Sequence, residues 1–413
     1  MNNELLNQIT KYYHGITPED VVGVSVGKKV VNGKMTDEDA VVFTVKKKKP
    51  LDEIPEGEIL PSEIEFDGVK LKTDVEQAEL VFLELESCPS DFYTWRTTPP
   101  GNRSKIRPLQ GGISLTNYTY FSNYHGTLGF LAVDTDTNSL VGVSNNHVLV
   151  KNAFLASERE ILGTHTSIYN NFVTQPNENG NQGLQNSIGL VKRYVPLSGA
   201  PEYNTVDAAL TTVNESDIDY SISYRQYGMN GWTDPLEFAT TEEIDSIVTN
   251  KNNLYSSGRT TGPKGEGQTK LFAQSLSFTG QIPYNNQGTD EFIYFSDCIK
   301  FIASASTTIS STGCTDPIVG GDSGSALVAD FSGTRKIVGI VFAGAILNGS
   351  TIYGLANRID KVAEQLSISA WTGNNNVYFS NTGTTELHRV LGRSSDINLE
   401  LSGNTYWQAG TVT

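Results

Sequence analysis

Gly320-Gly321-Asp322-Ser323-Gly324-Ser325 sets a serine among small residues and beside a carboxylate. A hydroxyl in that setting can attack a carbonyl, because glycines let the backbone turn sharply and leave room for the group under attack. The amides of Gly321 and Ser323 can then point at the oxyanion formed in acyl transfer. The segment is not a G-x-S-x-G hydrolase elbow, since position 325 is Ser. A glycine-rich loop between strands would also supply these few residues, so the stretch needs company before it means chemistry.

A serine hydroxyl needs a base, and the base needs a group that fixes its tautomer. The chain has only five histidines. Of these, His147 follows the apolar run Leu140-Val141-Gly142-Val143-Ser144 and sits in Asn145-Asn146-His147-Val148-Leu149. That places it at a strand end, at the rim of a cleft; alone it would read as a histidine satisfied by local backbone. The acid expected between His147 and Ser323 is Asp207, which heads Val206-Asp207-Ala208-Ala209-Leu210. A carboxylate entering an apolar strand must find a hydrogen-bonded partner, and an imidazole N–H would serve. Asp217, Asp219, Asp234 and Asp245 lie in more polar stretches.

With these residues in the order His, Asp, Ser, the chain resembles the trypsin-like peptidase superfamily. More narrowly, it is similar to the intracellular branch that holds bacterial trypsin-like proteins and the plant Narrow Leaf 1 type. The resemblance is carried by Gly126-Thr127-Leu128-Gly129-Phe130, Ser144 to Leu149, Gly258-Arg259-Thr260-Thr261-Gly262, Gly321 to Ser325, and Val338 to Gly344. It covers roughly residues 110–370, with a fainter echo from Val21 to Val75. It implies a mainly β, chymotrypsin-like double β-barrel, with His147 as base, Asp207 as its orienting acid, Ser323 as nucleophile, and the amides of Gly321 and Ser323 as the oxyanion hole. The same resemblance places the substrate pocket at Asp316, Phe342 and Gly344. Asp316 would make a pocket for basic side chains, or would merely cap a turn before Pro317. Phe342 stands where secreted relatives tend to have a Ser bonded to the acid, so Asp207 must find another partner or solvent. Val148 stands where they have a paired Cys.

The elements that must position these residues follow from pattern. Residues 4–14 have helical spacing of Leu5, Leu6, Ile9, Tyr12 and Tyr13. Val21 to Val31, Ala40 to Val45 and Gly68 to Leu71 read as strands. Together they predict a small α+β unit over 1–85. Proline-rich residues 86–110 read as a linker, and 174–187 as a surface loop. Short apolar strands separated by Gly, Asn, Ser and Thr turns predict the β-barrel body over 111–370, closed by an amphipathic helix near Ile359 to Leu366. Residues 371–413 form a polar C-terminal extension.

Length and composition exclude several classes. The 413 residues carry a net charge of −16. The one basic run, Lys46 to Lys49, lacks aromatics and reads as a solvated strand end, so no nucleic-acid partner is expected. Cys88, Cys298 and Cys314 are too few for a disulfide framework. No ligand spacing points to a metal, and the triad chemistry needs no cofactor. Without a signal peptide or an 18-residue apolar run, no membrane association is expected and a cytoplasmic location is. The expected function is serine endopeptidase acting on protein or peptide substrates, with residues 1–85 a possible docking unit for a regulatory protein. The competing classes are a non-catalytic scaffold that keeps the fold, and a hydrolase of non-peptide esters.

Overall fold

The computed structural model describes residues 3–31, 34–82, 101–117, 125–150, 172–176, 186–265, 270–286, 289–303, 316–348, 350–373 and 377–379. Cys88, Cys314, most of the expected linker and loop, and nearly all of the C-terminal extension lie outside them.

Helix α1 (Asn3–Ile16) buries Ile9 and Thr10 on the strands beneath it, as its helical apolar spacing requires. Strands β1 (Val21–Val31) and β2 (Lys34–Val45) pair antiparallel. Strands β3 (Glu63–Phe66) and β4 (Val69–Gln77) form a hairpin, with β4 parallel to β2. The short strand β5 (Glu79–Phe82) leaves this group and pairs elsewhere.

A first barrel follows. It contains β6 (Ile113–Asn117), β7 (Gly126–Leu128), β8 (Phe130–Asp134) and β9 (Ser139–Ser144). After β9 comes the single-turn helix α2 (Asn146–Leu149), then β10 (Phe172–Thr174) and β11 (Ser187–Tyr194). Strand β12 (Tyr203–Asn204) reaches to the other sheet, and β13 (Ala209–Thr212) completes the barrel. Pairing runs β8-β9-β13-β11-β10-β6-β7. Strands β7 and β8 are one stretch interrupted only at Gly129, so the sheet closes on itself. Its interior is filled by Ile113, Leu115, Leu128, Val133, Val173, Ile188 and their neighbours.

The second barrel is preceded by β14 (Glu237–Phe238) and α3 (Thr241–Ser246), whose start is fixed by a capping box between Thr240 and Glu243. Then come β15 (Leu254–Gly258), β16 (Gly262–Lys264), β17 (Leu271–Asn286) and β18 (Thr289–Ala303). Strands β19 (Ala326–Phe331), β20 (Thr334–Leu347) and β21 (Ser350–Arg358) finish it. Pairing runs β18-β21-β20-β19-β15-β17, and β17 pairs back with β18. Helix α4 (Ile359–Leu366) buries Ile359, Val362 and Leu366, and β22 (Ile368–Ala370) then returns to β8. Closure removes free sheet edges, which is how two barrels of short strands become stable. The chain is therefore mainly β, a chymotrypsin-like double β-barrel.

The N-terminal strands are hydrogen-bonded into the second barrel. Strand β1 pairs with β17, so one sheet runs from β3 through to β12. The fully buried ammonium of Lys300 on β18 meets Glu76 of β4 at 2.5 Å and lies 4.0 Å from the centre of the Tyr353 ring. In turn, the Tyr353 hydroxyl lies 3.2 Å from Thr44 Oγ1 of β2. Of the stretch expected as a linker, Asn102 is buried, and its amide donates to Gly112 O (2.6 Å) and Gly258 O (3.1 Å). The lysine run after β2 is solvent-exposed. Among the described residues, no helix is long and apolar enough to cross a membrane.

Candidate active site

Strand β9 ends at Ser144 and the chain turns at once into α2, which carries His147. Strand β13 pairs beside β9, with Ala209 opposite Ser144. That register brings Asp207, two residues before Ala209, level with the turn. The His147 ring, through Nδ1, is hydrogen-bonded to Asp207 Oδ2. The second carboxylate oxygen accepts the His147 backbone amide at 3.1 Å. One carboxylate thus fixes both the ring and the turn that presents it. Both residues are buried, so the charge needs close partners, and two hydrogen bonds join the pair.

Asp207 is itself held from the other barrel. Its amide donates to Asn357 Oδ1 of β21 at 2.9 Å, and Asn357 Nδ2 donates to Thr205 O at 3.1 Å. From its own side, Asn145 Nδ2 donates to the Asp207 carbonyl at 2.6 Å. These bonds hold the Asp207 backbone; the partners of its carboxylate, where Phe342 offers no hydroxyl, are the amide and ring of His147. Three of the other acids are engaged elsewhere: Asp217 with Arg107 at 2.5 Å, Asp219 with the Ser221 amide at 2.8 Å, and Asp245 with Arg358 at 2.9 Å.

Ser323 lies in the turn between the described residues after Asp316 and β19. Gly321 and Gly324 have φ of +90° and +92°, conformations that favour glycine, and this explains the Gly-Asp-Ser-Gly spacing. The turn is pinned on all sides. The Asp322, Gly324 and Ser325 amides donate to Val319 O (3.1 Å), Val341 O (2.8 Å) and Asp322 O (2.9 Å). The buried Asp322 carboxylate accepts the amides of Thr260 (2.9 Å), Thr261 (3.0 Å) and Val319 (3.0 Å). Burial pushes the Asp322 carboxyl up from its ordinary pKa, and these amides pull the other way. The Gly258-to-Gly262 motif thereby acquires a role, as an amide clamp on the residue before the serine. Ser323 is buried, and its Oγ donates to Phe342 O at 3.4 Å.

Thr127 joins the histidine and serine elements. Its amide donates to Ser323 O at 2.7 Å, its Oγ1 to Gly321 O at 2.9 Å, and its carbonyl accepts Ser144 Oγ at 2.7 Å. The residue before the Asn-Asn-His turn and the serine turn are thus bridged by one threonine of the first barrel. The structure brings His147 and Asp207 into direct contact and seats the Ser323 turn on the same seam between barrels.

The three pocket candidates lie in the second barrel. Asp316 is buried and accepts the Thr351 amide at 2.9 Å; burial raises its pKa, against the pull of that amide and of Lys264. The Phe342 ring is buried, stacked at a tilt on Phe295 with centroids 4.6 Å apart. Gly344 is opposite Gly354 on β21 and opposite Val81 on β5. Sequence reasoning missed Asn357, the clamp on Asp322 and the bridge by Thr127. Only the membership of Thr127 and Thr260 in the motifs that carried the resemblance pointed toward them. Among the described residues no group of His, Cys, Asp and Glu side chains could hold a metal ion.

No family model and no curated protein matches the chain. Solved structures do. A glutamic acid-specific serine protease that utilizes a histidine triad in substrate binding is 12% identical, with a TM-score of 0.37, over 64% of this chain and 100% of its own. Protease A of Thermobifida fusca is 15% identical, with a TM-score of 0.36, over 64% of this chain and 98% of its own. A Nocardiopsis protease is 15% identical, with a TM-score of 0.36, over 64% and 99%.

Proposed function

We propose that the protein is a serine endopeptidase that works through an acyl-enzyme. The observation that carries this reading is the buried His147–Asp207 pair on the seam onto which Thr127 fastens the Ser323 turn. In this reading Ser323 Oγ attacks the scissile carbonyl carbon while His147 takes its proton. Asp207 holds the imidazole in one tautomer and stabilises the imidazolium. The tetrahedral oxyanion is received by the amides of Gly321 and Ser323, in a turn whose shape is held by Asp322. Collapse expels the amine, which takes the proton from His147, and water then repeats the sequence on the acyl-Ser323 ester. No metal or cofactor takes part in these steps.

The substrates of this reading are proteins or peptides. The test is labelling by a fluorophosphonate, which forms a bond to an activated serine and releases fluoride. Wild type is expected to label with one group per chain, on Ser323, and Ser323→Ala not at all, with the same thermal midpoint within a few degrees. Full labelling of Ser323→Ala would place the reactive group elsewhere and overturn the assignment; no labelling of wild type would overturn it and leave the scaffold reading.

A further inference from the structure

One edge of β20 is shared by three neighbours in succession. Residues Thr334 to Ile340 pair with β19. Val341 exchanges hydrogen bonds with the serine turn, donating to Ser325 O at 2.9 Å and accepting Gly324 N at 2.8 Å. Phe342 O accepts Ser323 Oγ. From Ala343 to Ile346 the same edge is taken by β5, with Phe82 opposite Ala343, Val81 opposite Gly344, Leu80 opposite Ala345 and Glu79 opposite Ile346. From Gly339 to Leu347 the other edge of β20 belongs to β21, and at Lys336 and Ile337 it belongs to β14.

An extended peptide must add a strand at the edge next to Ser323 if its carbonyl is to reach that hydroxyl, because main-chain pairing is what holds an extended chain in place. The stretch of β20 just past Ser323 is the one that β5 fills. Strand β5 also runs in the direction such a peptide would. It is antiparallel to β20, and its C-terminal residue Phe82 comes nearest to Phe342 and Ser323. The acyl half of a substrate likewise runs N to C toward the bond that is cut. Leu80 is fully buried and packs in one cluster with Phe342, Ala343 and Ala345. The strand is anchored one step upstream, where Glu76 pairs with the buried Lys300. His147 and Ser323 are 3% and 0% exposed.

We propose that β5 is a built-in competitor of substrate: it occupies the acyl-side groove of the Ser323 site, and extended peptides gain that groove only when β5 leaves. This rests on the peptidase reading above. Leu80→Ser removes the apolar anchor, and Val81→Pro removes an amide and cannot continue the strand. Each variant and wild type, as full chains, would be assayed on a single-residue ester, too short to reach Gly344, and on a four-residue peptide ester. In both variants the ratio of kcat/KM for the long ester to that for the short one is expected to rise at least tenfold over wild type. Unchanged ratios, with short-ester hydrolysis intact, overturn the proposal. Absence of any Ser323-dependent ester hydrolysis overturns the peptidase reading instead. A further measurement on wild type avoids any folding defect of the variants. A four-residue peptide aldehyde, which adds reversibly to a serine hydroxyl, is expected to speed amide hydrogen exchange at residues 79–82 at least tenfold. Bound aldehyde with protection of β5 unchanged would also overturn the proposal.

Discussion

Glu76→Gln is expected to cost far more than a surface substitution. The Lys300 ammonium is fully buried, and burial already lowers its pKa, against the charge and hydrogen bond of Glu76, which raise it. Removing only the Glu76 charge leaves the ammonium with an amide oxygen, the Tyr353 ring at 4.0 Å and the more distant charge of Asp74. Breaking a buried pair from one side costs about 3–5 kcal/mol. A desolvated cation over an aromatic ring retains about 2 kcal/mol of its own attraction, already present in wild type, so it does not offset the loss. Replacing both partners, as Glu76→Gln with Lys300→Met, removes the charge to be desolvated and is expected to return stability to within about 1 kcal/mol of wild type, since an apolar side chain of similar volume often does as well as the pair. Urea unfolding followed by tryptophan fluorescence measures both variants. A single variant within about 0.5 kcal/mol of wild type, the range of ordinary surface changes, would refute the reasoning. So would a double variant as weak as the single one. The pair joins β4 to β18, so the same experiment tests whether the N-terminal strands and the second barrel unfold as one.

Two further outcomes follow from the geometry. Asp207→Asn keeps an oxygen for the His147 amide but sets an NH2 against ring Nδ1, forcing the wrong tautomer. Turnover of a peptide substrate is expected to fall by a factor on the order of 10⁴ with the thermal midpoint little changed, and a loss under tenfold would remove Asp207 from the triad. His14 is lowered by burial to about 4, with Nδ1 bonded to the Tyr203 hydroxyl at 2.8 Å. The unfolded chain binds a proton that the fold refuses, so this group's share of stability is present above about pH 6.5 and is lost as pH falls toward about 4, by up to ~3 kcal/mol. His14→Gln should flatten the fall of the urea midpoint between pH 7 and 5; an identical slope in the variant would show that His14 is not its source.

The contact between His147 and Asp207 and the sharp turn around Ser323 were legible in the chain. Gly-Asp-Ser-Gly implied a sharp backbone turn, and Gly321 and Gly324 make it with positive φ. A carboxylate at the head of an apolar strand implied a buried partner, and Asp207 has one in His147. Both inferences are local: they concern what a residue's own neighbours permit. Helical spacing near Leu5 and Ile359 was legible for the same reason. What surrounds the site was not legible. Asn357 on Asp207, the Thr260 and Thr261 amides on Asp322, and Thr127 between two turns are pairings across strands far apart in sequence, and their register depends on how two barrels close. Lys300 stands in an apolar strand with nothing nearby to announce Glu76. Strand β5 is four residues long, and its composition says only that it is extended. That it lies on β20 beside Ser323 follows from where β1 and β4 deliver the chain once β1 has paired with β17. The chain by itself determined which side chains could do chemistry; only the tertiary structure decided what holds them and what fills the groove beside them, because those contacts are set by long-range strand register.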